Sequence, residues 1–139
     1  MKTLLFFKGI STKVALIKLY PGFDIEMYAE LFDLKRVEAI VIETYGSGNA
    51  PTIEKLQVLI STFIDSGGII LNVTQCNSGE VKQGAYRTSS FFNRVGVVSG
   101  RDMTTEAAMT KLMFLLGNYK DKSEIKELLS TSISGELEY

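Results

Sequence analysis

Short apolar runs alternate with segments whose apolar residues recur at helical spacing. "VALIKLY" (Val14 to Tyr20) reads as a strand closed by Pro21-Gly22. In "DIEMYAELF", Ile25, Tyr28, Ala29 and Phe32 share a helical face, with Asp24 placed as N-cap. "VEAIVIETY", whose apolar stretch is Val37 to Thr44, reads as a second strand. "TIEKLQVLISTFIDSG" then puts Ile53, Leu56, Leu59, Ile60, Phe63 and Ile64 on one face and stops at Gly67-Gly68. The run Ile69 to Val73 is a third strand, "RTSSFFNRVG" a short helix, and Val97 to Ser99 a short fourth strand. "DMTTEAAMTKLMFLLG" reads as a long helix capped by Asp102, and "DKSEIKELLSTSISG" as a last helix with Asp121 and Glu124 at capping-box spacing.

The strands are continuous apolar runs rather than strict alternators, as expected when both sheet faces are covered. The pattern predicts an α/β fold: a three-layer, Rossmann-like domain with a four-stranded parallel sheet and helices on both faces. No repeat, low-complexity stretch or linker interrupts it.

Composition narrows the chemistry. The chain has 139 residues, 45% hydrophobic and 22% charged, which suits one globular domain. Fifteen basic and sixteen acidic residues leave a net charge of −1, and the charges are interspersed. That pattern offers no electrostatic footprint for nucleic acid or for an anionic membrane. There is no histidine and only one cysteine, Cys76, which removes His-based triads, His-ligated zinc and any internal disulfide. "MKTLLFFKG" is too short for a signal-peptide core, and a cytoplasmic location is expected. No cofactor is expected.

The loops that follow the strands hold the candidate chemistry, because ligands in such sheets meet the carboxyl ends of strands. "YGSGNAP" lacks both the third glycine of a dinucleotide fingerprint, where Pro51 stands, and the Gly-Lys-Ser/Thr of a Walker loop. It reads instead as a turn in which Gly46 and Gly48 take positive φ and Asn49 caps the next helix. In "TQCNSGEV", Thr74, Cys76 or Ser78 could act as a nucleophile, with Lys82 or Glu80 as the only bases near in sequence. Against this, a lone cysteine past a strand is more often a small hydrophobe, and Asp102 fits an N-cap better than a catalytic acid. The paired acids and lysine of a phospho-receiver domain are missing from the strand ends.

"ALIKLYPG", "YGSGNAP", "NVTQC", "SGEVKQGAY" and "GVVSGRDMTTEAAMTKLMFLL", in this order and spacing, resemble the carboxy-terminal domain of type I, cytoplasmic bacterial L-asparaginases from about Val14 to Leu116. A weaker likeness extends to an archaeal glutaminyl-tRNA amidotransferase subunit that shares the domain. The resemblance implies that residues 1–139 form the second domain of a two-domain amidohydrolase. The amino-terminal domain, with its nucleophilic threonine near "TGGTI", is absent from this chain. It further implies that Tyr45, Gly46, Ser47, Gly48 and Asn49 lie beside the active site of a neighbouring subunit without being catalytic themselves. The implied partners are the asparaginase amino-terminal domain, a second subunit in a homo-oligomer and the substrate L-asparagine; nucleic acid and membrane are not among them. Some family members bind asparagine at an effector site. Glu43, Thr74, Gln75 and Cys76 would be its remnant here, with Glu43 standing where an arginine would clamp a carboxylate.

Two other readings stand beside this one: a free-standing binding or assembly module that reuses the domain, and part of a tRNA-linked amidotransferase subunit. If the domain packs against others, an apolar face is expected on the helix from Thr104 to Leu116, at Met103, Met109, Met113 and Phe114.

Overall fold

The computed structural model describes residues 6–84 and 87–138. Ala85 and Tyr86 of the "GAY" stretch, and the first five residues of "MKTLLFFKG", lie outside the described residues. Four strands, β1 (Val14–Lys18), β2 (Ala39–Thr44), β3 (Ile69–Thr74) and β4 (Val98–Ser99), form one parallel sheet in the order β1-β2-β3-β4. The register aligns Val14 with Ala39, Ala39 with Ile69, and Leu71 with Val98. The expected four-stranded parallel sheet is therefore present, with β4 one residue shorter than the apolar run suggested.

The two central strands are buried along their whole length, which explains why they read as unbroken apolar runs. Alternate residues feed two cores. Ile40, Ile42 and Ile70 pack on one face with Leu56, Ile60 and Phe63 of α1 (Glu54–Asp65) and Phe92 of α2 (Arg87–Val95). Ala39, Val41, Ile69, Leu71 and Val73 pack on the other face. There they meet Ala108, Leu112 and Leu115 of α3 (Thr105–Asn118) and Ile125 and Leu129 of α4 (Lys122–Leu129). Each fully buried Ile or Leu contributes roughly 1.5–3 kcal/mol relative to exposure.

Three local expectations are corrected. "DIEMYAELF" forms two 3-10 turns, Ile25–Met27 and Ala29–Leu31, instead of a helix. Asp24 does cap the first, accepting from the Glu26 N–H. The long helix α3 is capped by Thr104, whose hydroxyl accepts from the Ala107 N–H at 3.1 Å. Asp102 lies two residues earlier, and its carboxylate accepts from the Glu138 N–H at 3.1 Å, tying the carboxy-terminal residues down. The third correction concerns the helix expected to present a bare apolar face. Met103 is buried, and Met109, Met113 and Phe114 are partly buried against the core.

Residues 6–12 pack on α3. The Ser11 N–H donates to Met113 O at 2.9 Å, Asn118 exchanges hydrogen bonds with the Gly9 backbone, and the Phe7 ring meets Phe114 edge-on at 5.1 Å. The contact is close enough that a Cβ on Gly117 would lie 2.5 Å from Ile10 N. The large exposed apolar side chains include Phe6 and Ile10 of this segment, together with Met27 and Val58.

The middle of α3 carries a buried charge. Lys111 donates to Thr131 O at 2.6 Å and to Leu129 O at 3.2 Å, and pairs with Glu136 at 2.5 Å. Glu136 also accepts from the Ile133 and Ser134 N–H groups. Burial opposes ionisation of Glu136, but the Lys111 ammonium and these N–H donors outweigh it and hold the carboxyl down to about 2, from an ordinary 4.5. Because the folded-state value is the lower one, the stabilisation is full above about pH 4.5 and is lost as pH falls toward 2. Thermal melts across this range are expected to show a falling melting temperature in that window. Glu136→Gln is expected to lower the neutral-pH melting temperature by an amount equivalent to roughly 1–3 kcal/mol and to flatten the acid limb. An acid limb unchanged by the substitution would rule out the Lys111–Glu136 pair as its source.

Candidate functional site

At the carboxyl end of the sheet the last rungs turn polar. Lys18 aligns with Glu43, Thr44 with Thr74, and Asn72 with Ser99. Beyond β2 the chain makes a tight turn. Tyr45 N–H donates to Asn49 O at 2.7 Å, and Tyr45 O accepts from the Gly48 and Asn49 N–H groups at 2.9 and 2.8 Å. Gly46 and Gly48 adopt φ of +48° and +102°, as the turn reading expected. Asn49 does not cap α1: its Oδ1 accepts from the Ala50 N–H, and the N-cap is Ile53 with no side-chain bond.

Neighbouring loops hold this turn in place. The Thr74 hydroxyl donates to Gly46 O and accepts from the Cys76 N–H. Lys82 N–H donates to Ser47 O at 2.9 Å. Gly48 is buried, and a Cβ there would sit 2.7 Å from Val81 Cγ1. The turn thus has one tightly supported conformation.

Glu43, Thr74, Gln75 and Cys76 come together around a cleft of about 250 Å³, joined by Lys18, Thr104 and Thr105. A second cleft of about 390 Å³ shares Thr74, Cys76, Asn77 and Thr104, and is bordered by Glu80, Asp102 and Glu138. The Glu43 carboxylate is engaged, accepting from the Thr105 hydroxyl at 2.6 Å and pairing with Lys18 at 3.5 Å. Gln75 is engaged as well, its amide donating to Leu19 O and to Glu43 O. Cys76 is a free, exposed thiol.

Among the described residues no hydrogen bond joins a candidate nucleophile to a base. Thr74 is committed to the Gly46 carbonyl, while Lys82 pairs with Glu80 at 3.7 Å rather than with Thr74, Cys76 or Ser78. Among the described residues no three His, Cys, Asp or Glu side chains gather as a metal site. What the clefts offer is hydrogen bonding from hydroxyls and amides, with acids at the rim.

Sequence reasoning missed several contributors. Lys18 of β1 and Thr105 of α3 meet at the cleft on Glu43, Asn72 and Gln83 bond to each other beside the turn, and Arg101 takes φ of +52° in the turn before α3. Of these, only Asn72, an amide inside an apolar strand, carried a visible signal.

A four-stranded parallel sheet with a glycine-pinned turn beside a polar cleft defines an α/β domain. Residues 13–129 match the Glutaminase/Asparaginase C-terminal domain, and the chain belongs to that family. It is 35% identical over 124 residues to L-asparaginase 1 of Escherichia coli K12, covering 89% of this chain and 36% of the relative, in its C-terminal part. It is 36% identical over 130 residues to a glutamyl-tRNA(Gln) amidotransferase subunit of Methanopyrus kandleri, covering 94% of this chain and 28% of that protein. The two identities differ by one percentage point, and this second relative is covered over a smaller share of its length. The crystal structure of L-asparaginase I from Vibrio cholerae superposes with a TM-score of 0.84 at 34% identity, over 93% of this chain and 39% of that one. The chain spans little more than a third of the length of these asparaginases.

Gly48 gives a direct check on the turn. Gly48→Ala combines a left-handed backbone with a side-chain clash, and is expected to destabilise the chain by roughly 1–3 kcal/mol. Gly46→Ala, with no atom within 4 Å of the added methyl, is expected to cost less. Urea titration of both variants tests this; equal losses would mean that the contact with Val81 is not a constraint.

Proposed function

We propose that this chain works as the accessory half of an L-asparaginase, and that its 45–49 turn completes an active site whose nucleophile comes from an amino-terminal domain outside residues 1–139. The observation that carries the reading is the turn itself: a rigid backbone segment at the sheet's carboxyl end, in a family domain whose described residues pair no nucleophile with a base. Glycines let a second chain or a substrate approach the backbone, and Asn49 supplies an amide that both donates and accepts.

In the assembled enzyme a threonine of the amino-terminal domain attacks the side-chain amide carbon of L-asparagine. Ammonia leaves, and water cleaves the resulting ester to release L-aspartate. Tyr45, Gly46, Ser47, Gly48 and Asn49 hold one wall of that site, supplied to a neighbouring protomer in a homo-oligomer. A cytoplasmic location agrees with the single exposed thiol, and no described helix is long and apolar enough to cross a membrane. The remnant effector cleft does not keep asparagine as its ligand, because Glu43 brings a carboxylate already bonded to Thr105 and Lys18. A second reading, part of a tRNA-linked amidotransferase, has the 36% identity to the Methanopyrus kandleri protein in its favour. The mixed surface charge of this domain gives it no RNA-binding face of its own.

Purified chain incubated with asparagine or glutamine is expected to release no ammonia above background. When it is assembled with a catalytic amino-terminal domain, Asn49→Ala is expected to lower kcat/KM by about tenfold or more, equivalent to roughly 1.4 kcal/mol. Turnover by the chain alone that disappears on Ser78→Ala or Thr74→Val would overturn the reading.

A further inference from the structure

Asn72 has no exposed surface and lies on the face of β3 that packs against α1, in register with Ile42. Its neighbour on the same face, Ile70, shows that an apolar side chain fits this layer. A primary amide in such a place is costly unless bonded, and an apolar replacement of the whole group would be close to neutral for stability. The amide is bonded through both its oxygen and its nitrogen. Its Oδ1 accepts from the Thr44 hydroxyl at 2.6 Å, and its Nδ2 donates to Gln83 Oε1 at 3.2 Å. Gln83 Nε2 donates onward to Val97 O at 2.7 Å and Asn93 Oδ1 at 2.8 Å.

Each link of this chain touches the frame of the 45–49 turn. Thr44 immediately precedes Tyr45. Gly48 closes so near Asn72 that a Cβ would lie 3.3 Å from Nδ2. Lys82, the residue before Gln83, donates its N–H to Ser47 O. Hydrogen bonds have direction and apolar contacts do not, so the relay fixes a register between the turn and the 77–84 loop that packing alone leaves free.

We infer that Thr44, Asn72 and Gln83 are positioning residues for the 45–49 turn, a buried amide relay that sets where the turn presents Asn49. The relay matters for catalysis only through the role proposed above for that turn, but its test reads the turn directly. Amide hydrogen exchange is followed by NMR on the 139-residue chain carrying Thr44→Val, Thr44→Ser, Gln83→Ala or Leu112→Ala, the last a cavity on the opposite sheet face. Thr44→Val and Gln83→Ala are expected to speed exchange at the Gly48 and Asn49 amides about tenfold more than at β1 and α3 amides. Thr44→Ser, which keeps the hydroxyl, is expected to stay within about twofold of the parent chain, and Leu112→Ala to speed all regions alike. Gln83 is only half-buried, so its variant carries the test should Thr44→Val not fold. Uniform acceleration in the Thr44 and Gln83 variants, or unchanged exchange at Gly48 and Asn49, would overturn the inference. If the turn responds as expected while hydrolysis by the assembled enzyme is indifferent to Thr44→Val, the relay stands and the role proposed for the turn falls.

Discussion

Strand order governs the rest of this molecule. Parallel strands joined in sequence by crossovers of one hand place every connection on the same face of the sheet. Here the two 3-10 turns, α1 and α2 all join the core on that face. The opposite face of β1, β2 and β3 is equally apolar, so the chain beyond β4 has to return across it as α3 and α4. The hydrogen bonds from residues 9 and 11, the Lys111–Glu136 pair and the Asp102 carboxylate all fasten chain ends onto that returning segment. They hold in place a layer that the sheet needs but its own crossovers do not supply.

The same strand order explains where the clefts lie. An open α/β sheet usually gathers ligands where the strand order reverses. This sheet has no reversal, and its clefts form between the loop after β3 and the start of α3, the point where the chain changes faces. Thr74 belongs to both clefts and also bonds the Gly46 carbonyl, so the turn after β2 and the cleft after β3 share one anchoring hydroxyl. The family to which the chain belongs is that of a carboxy-terminal domain.

Glu43 joins three elements at the cleft. Its backbone sits in the strand ladder, its carbonyl accepts from Leu19 and Gln75, and its carboxylate reaches Thr105 on α3 and Lys18 on β1. An arginine at this point would have faced Lys18 across the ladder. The acid instead closes a local ion pair and fixes the first turn of α3 against the sheet.

Much of this was legible in the sequence. Continuous apolar runs announced strands covered on both faces, glycines marked the turns, and the ordered motifs identified the family. These signals are local, since period, burial and turn chemistry act within a few residues of each other. Helix boundaries that depend on local competition were read less well: Thr104 holds the cap assigned to Asp102, while the Asp102 carboxylate bonds a backbone N–H thirty-six residues away. The partial burial of Met109, Met113 and Phe114 was also decided by tertiary packing, against the core of the sheet's second face, with Phe7 meeting Phe114. The joining of Thr44, Asn72 and Gln83 and the pairing of Lys111 with Glu136 belong to the tertiary structure alone. Hydrogen bonds and ion pairs between distant residues depend on separations of a few ångströms that only the packed sheet and helices establish.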